Sequence, residues 1–159
     1  MIVVRSDPMP HELHDEGRAL IEVIVLGILV LIPAVYIAIA ILRVQAATLA
    51  VNQAARDAGR AIDNAPTLEL GIAQAKELAA LALTDQHVPV DRITVEFRDP
   101  GDSCTGGTGV LPDLRGGAEY DICVTAVITF PGVPTVLSGE RNTVTGVYTL
   151  HVGEFRAAG

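Results

Sequence analysis

The longest uninterrupted apolar stretch of the chain runs from Ala19 to Leu42, about 24 residues. At 1.5 Å per residue, a helix of this length spans the ~30 Å hydrocarbon core of a bilayer. A secretory signal has a shorter apolar core of ~7–15 residues that ends at small residues, whereas this run ends at Arg43. The pattern therefore predicts a membrane-spanning helix. Glu22 is its only acidic or basic side chain, and Pro33 lies in its middle, where we expect a kink.

The predicted helix continues beyond the apolar run to Asn64, two residues before Pro66. In this second part, small apolar residues recur at intervals of three and four and form one narrow stripe. The stripe consists of Val44, Ala47, Val51, Ala54, Ala58 and Ala61. Small side chains allow another element to approach closely. That element is either a helix of another subunit or the globular part of the same chain, and the pattern favours neither.

Residues 65–159 have the pattern of a small mixed domain. Thr67 is a plausible N-cap for a helix from Leu68 to about Leu83. Three later runs alternate between apolar and polar residues, as strands with one buried face do. These runs are Ile93–Phe97, Ile122–Phe130 and Val144–Val152. The predicted fold class is therefore α+β: a long N-terminal transmembrane and stalk helix, then a small head with one helix and an antiparallel sheet of about three strands.

The chain has two cysteines, Cys104 in a glycine-rich loop and Cys123 early in the second predicted strand. In an oxidising compartment, a disulfide between them would close a loop of about 20 residues and stabilise the head by roughly 3 kcal/mol. The alternative is a pair of free or metal-binding thiols, for which the sequence offers no CxxC motif and too few neighbouring ligands. We predict the disulfide, and neither a metal nor another cofactor.

Charge and motif content argue against several functions. The chain has 11 Lys+Arg and 19 Asp+Glu, a formal net charge of -8, and its arginines do not cluster, so nucleic acid is not an expected partner. The glycine-rich segment 106–109 lacks the Gly-Lys-Ser/Thr ending of a phosphate loop. Asp85, His87 and Asp91 fall in a polar turn typical of a solvated loop, and Ser103 has no histidine in a triad context. The sequence predicts no enzyme.

An isolated carboxylate in a membrane span needs a partner, because burying it costs at least ~2.5 kcal/mol. Gly17, followed by Arg18 and then by Glu22 in an otherwise uncharged run, resembles the class III signal of type IV pilins and pseudopilins. The resemblance implies that a prepilin peptidase cuts after Gly17, that Arg18 becomes the mature N-terminus, and that Glu22 pairs with the α-amino group of a neighbouring subunit. The alternative is an uncleaved signal anchor whose Glu22 carboxylate reaches water at headgroup depth.

The Ala- and Arg-rich segment 52–61, the short second helix and the Thr/Val-rich sheet ending at residues 151–156 resemble the TadE-like pseudopilins of tight-adherence (Tad) type IV pili. The major pilin of that family is tiny and nearly all helix, so a chain with its own head resembles a minor subunit. The resemblance implies three parts: a leader at 1–17, a transmembrane and stalk helix at 18–64, and an extracytoplasmic head at 65–159.

The same resemblance implies partners and a location. The implied partners are other pilin subunits, the prepilin peptidase and an inner-membrane assembly platform, with membrane lipid around the helix before assembly. The chain would cross the cell membrane once with its N-terminus in the cytoplasm, and would become part of an extracellular pilus after assembly. Two alternatives remain: a bitopic membrane protein with an outer binding or sensory domain, and a pseudopilin of a secretion system.

Overall fold

The computed structural model describes residues 13–89, 92–106, 108–130, 133 and 142–154. Helices α1 (Leu13–Asn64) and α2 (Leu68–Thr84) are followed by strands β1 (Ile93–Arg98), β2 (Glu119–Val127) and β3 (Thr143–His151). The strands form one antiparallel sheet in the order β1-β2-β3. The predicted α+β fold class, with its long first helix, second helix and three-stranded sheet, is confirmed. The chain divides into two compact units, Met1–Ile39 and Ala40–Gly159.

Local capping groups determine where α2 begins and ends. Thr67 is extended, and its Oγ1 accepts a hydrogen bond from the backbone N–H of Leu70 at 3.4 Å. At the other end, His87 has a φ of 63° and the N–H of Val88 donates to the carbonyl of Leu83 at 3.1 Å. A left-handed residue with this backward hydrogen bond is the Schellman ending of a helix. The predicted N-cap is confirmed, and the helix ends one residue beyond its predicted end.

The core of the second unit lies between the inner face of the sheet and the two helices. The buried sheet residues are Phe97, Tyr120, Ile122, Val124, Ala126 and Leu150. The buried helix residues facing them are Val51, Ala54, Ala55, Ala58 and Ile62 of α1, with Ala75, Ala79 and Leu83 of α2. Most of the small-residue stripe of α1 therefore packs on the chain's own head. Of the two alternatives for the stripe, the structure supports this one.

Two glycines allow α1 to lie against β3. A Cβ on Gly146 would lie 2.4 Å from the carbonyl carbon and oxygen of Val51, and a Cβ on Gly59 would lie 2.5 Å from the ring of Tyr148. Real Cβ atoms do not approach other atoms this closely. Gly146 faces helix backbone and is required for this packing, whereas a Cβ at Gly59 would displace the ring of Tyr148. The gap that Gly146 leaves in the apolar pattern of β3 is thus a contact point for the α1 backbone.

Two details of the sheet differ from the sequence prediction. The second strand was predicted over Ile122–Phe130 but covers Glu119–Val127, because pairing with β3 ends at Val127 opposite Thr143. Arg98 follows Phe97 in the alternating pattern of β1, which predicts it on the polar, solvent-facing side of the strand, yet its exposed fraction is 5%. The Pro- and Gly-rich segment 131–134 predicts the end of the second strand, and the linker to Arg141 predicts an antiparallel return. Both lie outside the described residues, apart from residue 133.

Candidate functional site

Residues 18–39 of the first unit form an apolar helix surface. Its large aliphatic side chains are exposed, with fractions between 71% at Val23 and 38% at Ile39. Among the described residues, one helix, Arg18–Asn64, is long and apolar enough to cross a membrane by length and composition. Apolar side chains exposed on this scale need to be covered by lipid or by other apolar helices. The predicted apolar span is present as a helix.

Glu22 lies on this surface together with Arg18. The two residues are one helical turn apart and line the same shallow depression, with Ile21 and Val25 beside them. Residues four apart share a helix face, so a guanidinium and a carboxylate come within reach of each other here. In the part of the chain that is described, neither side chain makes an ion pair. The prediction for Arg18 concerned only its role as a new N-terminus, but its i, i+4 spacing from Glu22 also indicates this proximity.

Gly17 and Pro33 are both located within α1. Gly17 immediately precedes Arg18, and the segment 1–12 of the predicted leader lies outside the described residues. The helix continues on both sides of Pro33, whose missing N–H removes one hydrogen bond to the preceding turn. Cleavage after Gly17 and a functional kink at Pro33 both stay predictions.

The disulfide between Cys104 and Cys123 is present, with the two Cα atoms 5.7 Å apart. Cys123 lies in the central strand opposite Glu96 of β1 and Val147 of β3, on the face turned away from the helices. The bond therefore fastens the long β1–β2 connection to the outer face of the sheet. Both cysteines of the chain are used in it, which overturns the free-thiol alternative.

A small polar network lies beside this disulfide. The carboxylate of Asp121, only 4% exposed, accepts hydrogen bonds from the Gly101 N–H at 2.8 Å and the Thr149 hydroxyl at 2.5 Å. The buried guanidinium of Arg98 pairs with Glu96, while its Nε has no hydrogen-bond partner. Because Asp121 joins the connection to two strands, the network holds this loop in place. No sequence pattern predicts this network, because the residues that form it are far apart in the chain.

The described residues form no recognisable catalytic arrangement. Nδ1 of His151 lies 2.7 Å from Glu119 in an exposed cross-strand pair, and the Ser103 hydroxyl contacts Thr105. A side-chain hydrogen bond from Arg115 lowers the pKa of Asp113 below its usual value, but this pair is exposed and carries little energy. Within the described ranges, no group of three or more His, Cys, Asp and Glu side chains could hold a metal ion.

Comparison with known proteins adds no relative. No family model, no curated protein and no solved structure matches the chain.

Proposed function

We propose that this chain is a minor pilin, a TadE-like pseudopilin of a Tad type IV pilus system. It is anchored in the cell membrane before assembly and takes part in pilus biogenesis, at initiation or at the tip, where it could contribute to adhesion. The observation that carries the proposal is Glu22, the only acidic or basic side chain of the 19–42 run, located on an exposed apolar helix surface five residues after Gly17.

The physical argument concerns the transfer of this helix from lipid to protein. The exposed aliphatic side chains of the first unit are equally suited to lipid and to neighbouring apolar helices. Only Glu22 distinguishes the two environments, because a carboxylate alone in hydrocarbon is penalised and one paired with an ammonium is largely compensated. The α-amino group of a neighbouring subunit, created by cleavage after Gly17, would supply that cation. Glu22 would then determine the register of docking.

The presence of a folded head supports a minor pilin rather than a major pilin. Its core joins three strands, α2 and the second part of α1, and a disulfide fastens its outer face. The major pilin of the Tad family is nearly all helix and has no domain of this kind, whereas an initiating or terminal subunit can use one as a cap or a binding surface. The partners in this proposal are other pilin subunits, the prepilin peptidase and the inner-membrane assembly platform. A secretion-system pseudopilin would use the same signal and the same helix chemistry.

One observation favours a second candidate, an uncleaved bitopic membrane protein with an extracytoplasmic binding or sensory domain. Arg18 and Glu22 lie on the same side of the helix, one turn apart. Arg18 is present with or without cleavage after Gly17, and in the uncleaved chain its guanidinium is the nearby cation for Glu22, on the same helix near the membrane boundary. Under this candidate no second subunit is needed.

A pair of conservative variants separates the two candidates. In the pilin, Glu22→Gln should leave leader removal intact and reduce incorporation into pili at least about tenfold, equivalent to ~1.4 kcal/mol. Arg18→Gln should retain incorporation, because the mature chain keeps its α-amino group. Val25→Ala, on the same surface, serves as the control. Equal incorporation of wild type and Glu22→Gln would contradict the proposal, and an uncleaved N-terminus in every variant would favour the anchor.

A further inference from the structure

A cleft in the second unit brings α1 together with the segments that follow α2 and β2. Its polar lining consists of Arg43 from α1, Gln86 and His87 from the end of α2, and Thr129 from the segment after β2. Ala47 and Val88, both buried, form part of its apolar base. The cleft is separate from Glu22 and from the disulfide network.

The polar side chains of this cleft are suited to an anion. Arg43, Gln86 and Thr129 supply N–H or O–H donors, and the imidazole of His87 supplies one more in either tautomer. Within the described residues, none of these four side chains makes a hydrogen bond or an ion pair. Among the described residues, the lining contains no acidic side chain, although the whole chain has a formal net charge of -8. The cleft is therefore a local site for negative charge on an acidic protein.

The position of Arg43 in the sequence indicates where this anion would come from. Arg43 immediately follows Leu42, the last residue of the apolar run. With a rise of 1.5 Å per residue along a helix, its guanidinium lies at headgroup depth when the run is inserted in a bilayer. The densest anionic groups at that depth are the phosphates of phospholipids.

We propose that this cleft binds the phosphate of a membrane phospholipid. Arg43 makes the charge-assisted hydrogen bonds to the phosphate oxygens, and Gln86, His87 and Thr129 donate to the remaining phosphate and glycerol oxygens. The methyl groups of Ala46 and Ala47 line the side of the cleft formed by α1 and contact the glycerol backbone. The proposal rests on membrane insertion of the apolar run and is independent of filament assembly.

The backbone at His87 holds its side chain at the cleft. Its φ of 63° is the only positive φ of a non-glycine residue in the part of the chain that is described, and it belongs to the turn that ends α2. A non-glycine residue in this conformation is uncommon, so its imidazole is placed there at some backbone cost. His87→Gly would keep this conformation and remove only the imidazole.

Native mass spectrometry of the full chain in a neutral detergent tests the proposal by counting bound dioctanoylphosphatidylglycerol. We expect Arg43→Gln to raise the dissociation constant about tenfold, as the loss of one charge-assisted contact does, and His87→Gly to raise it less. The matched control is Arg56→Gln, an exposed arginine of α1 outside the cleft, which should change the constant less than about twofold. A urea unfolding midpoint equal to that of wild type in each variant shows that the head is folded.

Two further probes identify the source of the phosphate. Dioctanoylglycerol, which lacks a phosphate, and inorganic phosphate, which lacks a glycerol, should each bind more weakly than the lipid. Equal losses of lipid affinity in Arg43→Gln and Arg56→Gln would overturn the proposal and indicate a diffuse attraction of the lipid to the arginines. Inorganic phosphate binding as tightly as the lipid would overturn it in favour of a site for free anions.

Discussion

Replacing Gly146 by alanine tests whether the head is built on direct contact between α1 and β3. The added Cβ would lie 2.4 Å from the carbonyl carbon and oxygen of Val51 and 2.6 Å from the amide nitrogen of Asn52. Favourable contacts between carbon atoms lie near 3.5–4.0 Å, so helix and strand must separate by about 1 Å. The obstacle is helix backbone and cannot rotate away as a side chain could.

The expected loss of stability follows from this geometry. Overpacking of a core typically costs 1–3 kcal/mol. Because Val51 is fully buried and its neighbours move with the helix, we expect Gly146→Ala to lower the free energy of unfolding by about 3 kcal/mol. Urea unfolding of the full chain in detergent, followed by pulse proteolysis of the head, measures this loss. With a urea dependence of roughly 1–3 kcal/mol per molar, the midpoint should fall by about 1–3 M.

Gly153→Ala is the matched control. Gly153 lies two residues after β3, and a Cβ there would meet nothing within 4 Å. We expect its free energy of unfolding to remain within about 0.5 kcal/mol of the wild-type value. If Gly146→Ala unfolds at the wild-type urea concentration, or is more stable, then α1 does not lie on β3 as described and the core assignment is refuted.

Three further predictions concern the loop and the leader. The double variant Cys104→Ser, Cys123→Ser should lower the free energy of unfolding by about 3 kcal/mol, because the unfolded chain gains the entropy that loop closure had removed. The same urea assay should give the same loss for wild type with its disulfide reduced. Asp121→Ala should lower the free energy of unfolding by about 2–3 kcal/mol and expose the β1–β2 connection to protease, because the Gly101 amide loses its hydrogen-bond partner. A connection that stays resistant to protease would contradict this role. Gly17→Leu should block leader removal and leave a species about 1.8 kDa larger on gels, from 17 of the 159 residues of a 16.7 kDa chain; normal mobility with normal pili would contradict processing at this site.

Periodic patterns in the sequence predicted most of the fold because they report local geometry. Alternation in β1 identified Ile93, Val95 and Phe97 as one face, and all three contribute to the core or pack against it. Thr67 was recognised as the N-cap of α2 because capping depends on residues a few positions apart. These features depend on neighbours in the chain, so a single sequence contains enough information to predict them.

The features that escaped prediction depend on contacts between distant residues. The alternating pattern predicts that Arg98 faces solvent, but it is buried beside the β1–β2 connection, which Cys104 fastens to the sheet. Asp121 reads as a polar residue before a strand, but it lies inside β2 and is satisfied by Gly101 and Thr149. The stripe on α1 was equally consistent with an external helix, since a pattern of small residues does not identify the surface that it contacts. In each case, tertiary structure determined the outcome.

The central claim is that this chain is processed after Gly17 and that Glu22 then pairs with a neighbouring subunit. The most direct test is N-terminal sequencing of the protein extracted from membranes of cells that contain a prepilin peptidase, with a peptidase-deleted strain as the control. The proposal predicts Arg18 as the first residue in the first strain and Met1 or Ile2 in the control. Met1 or Ile2 in both strains would contradict it and leave the chain as a membrane-anchored protein with an outer domain.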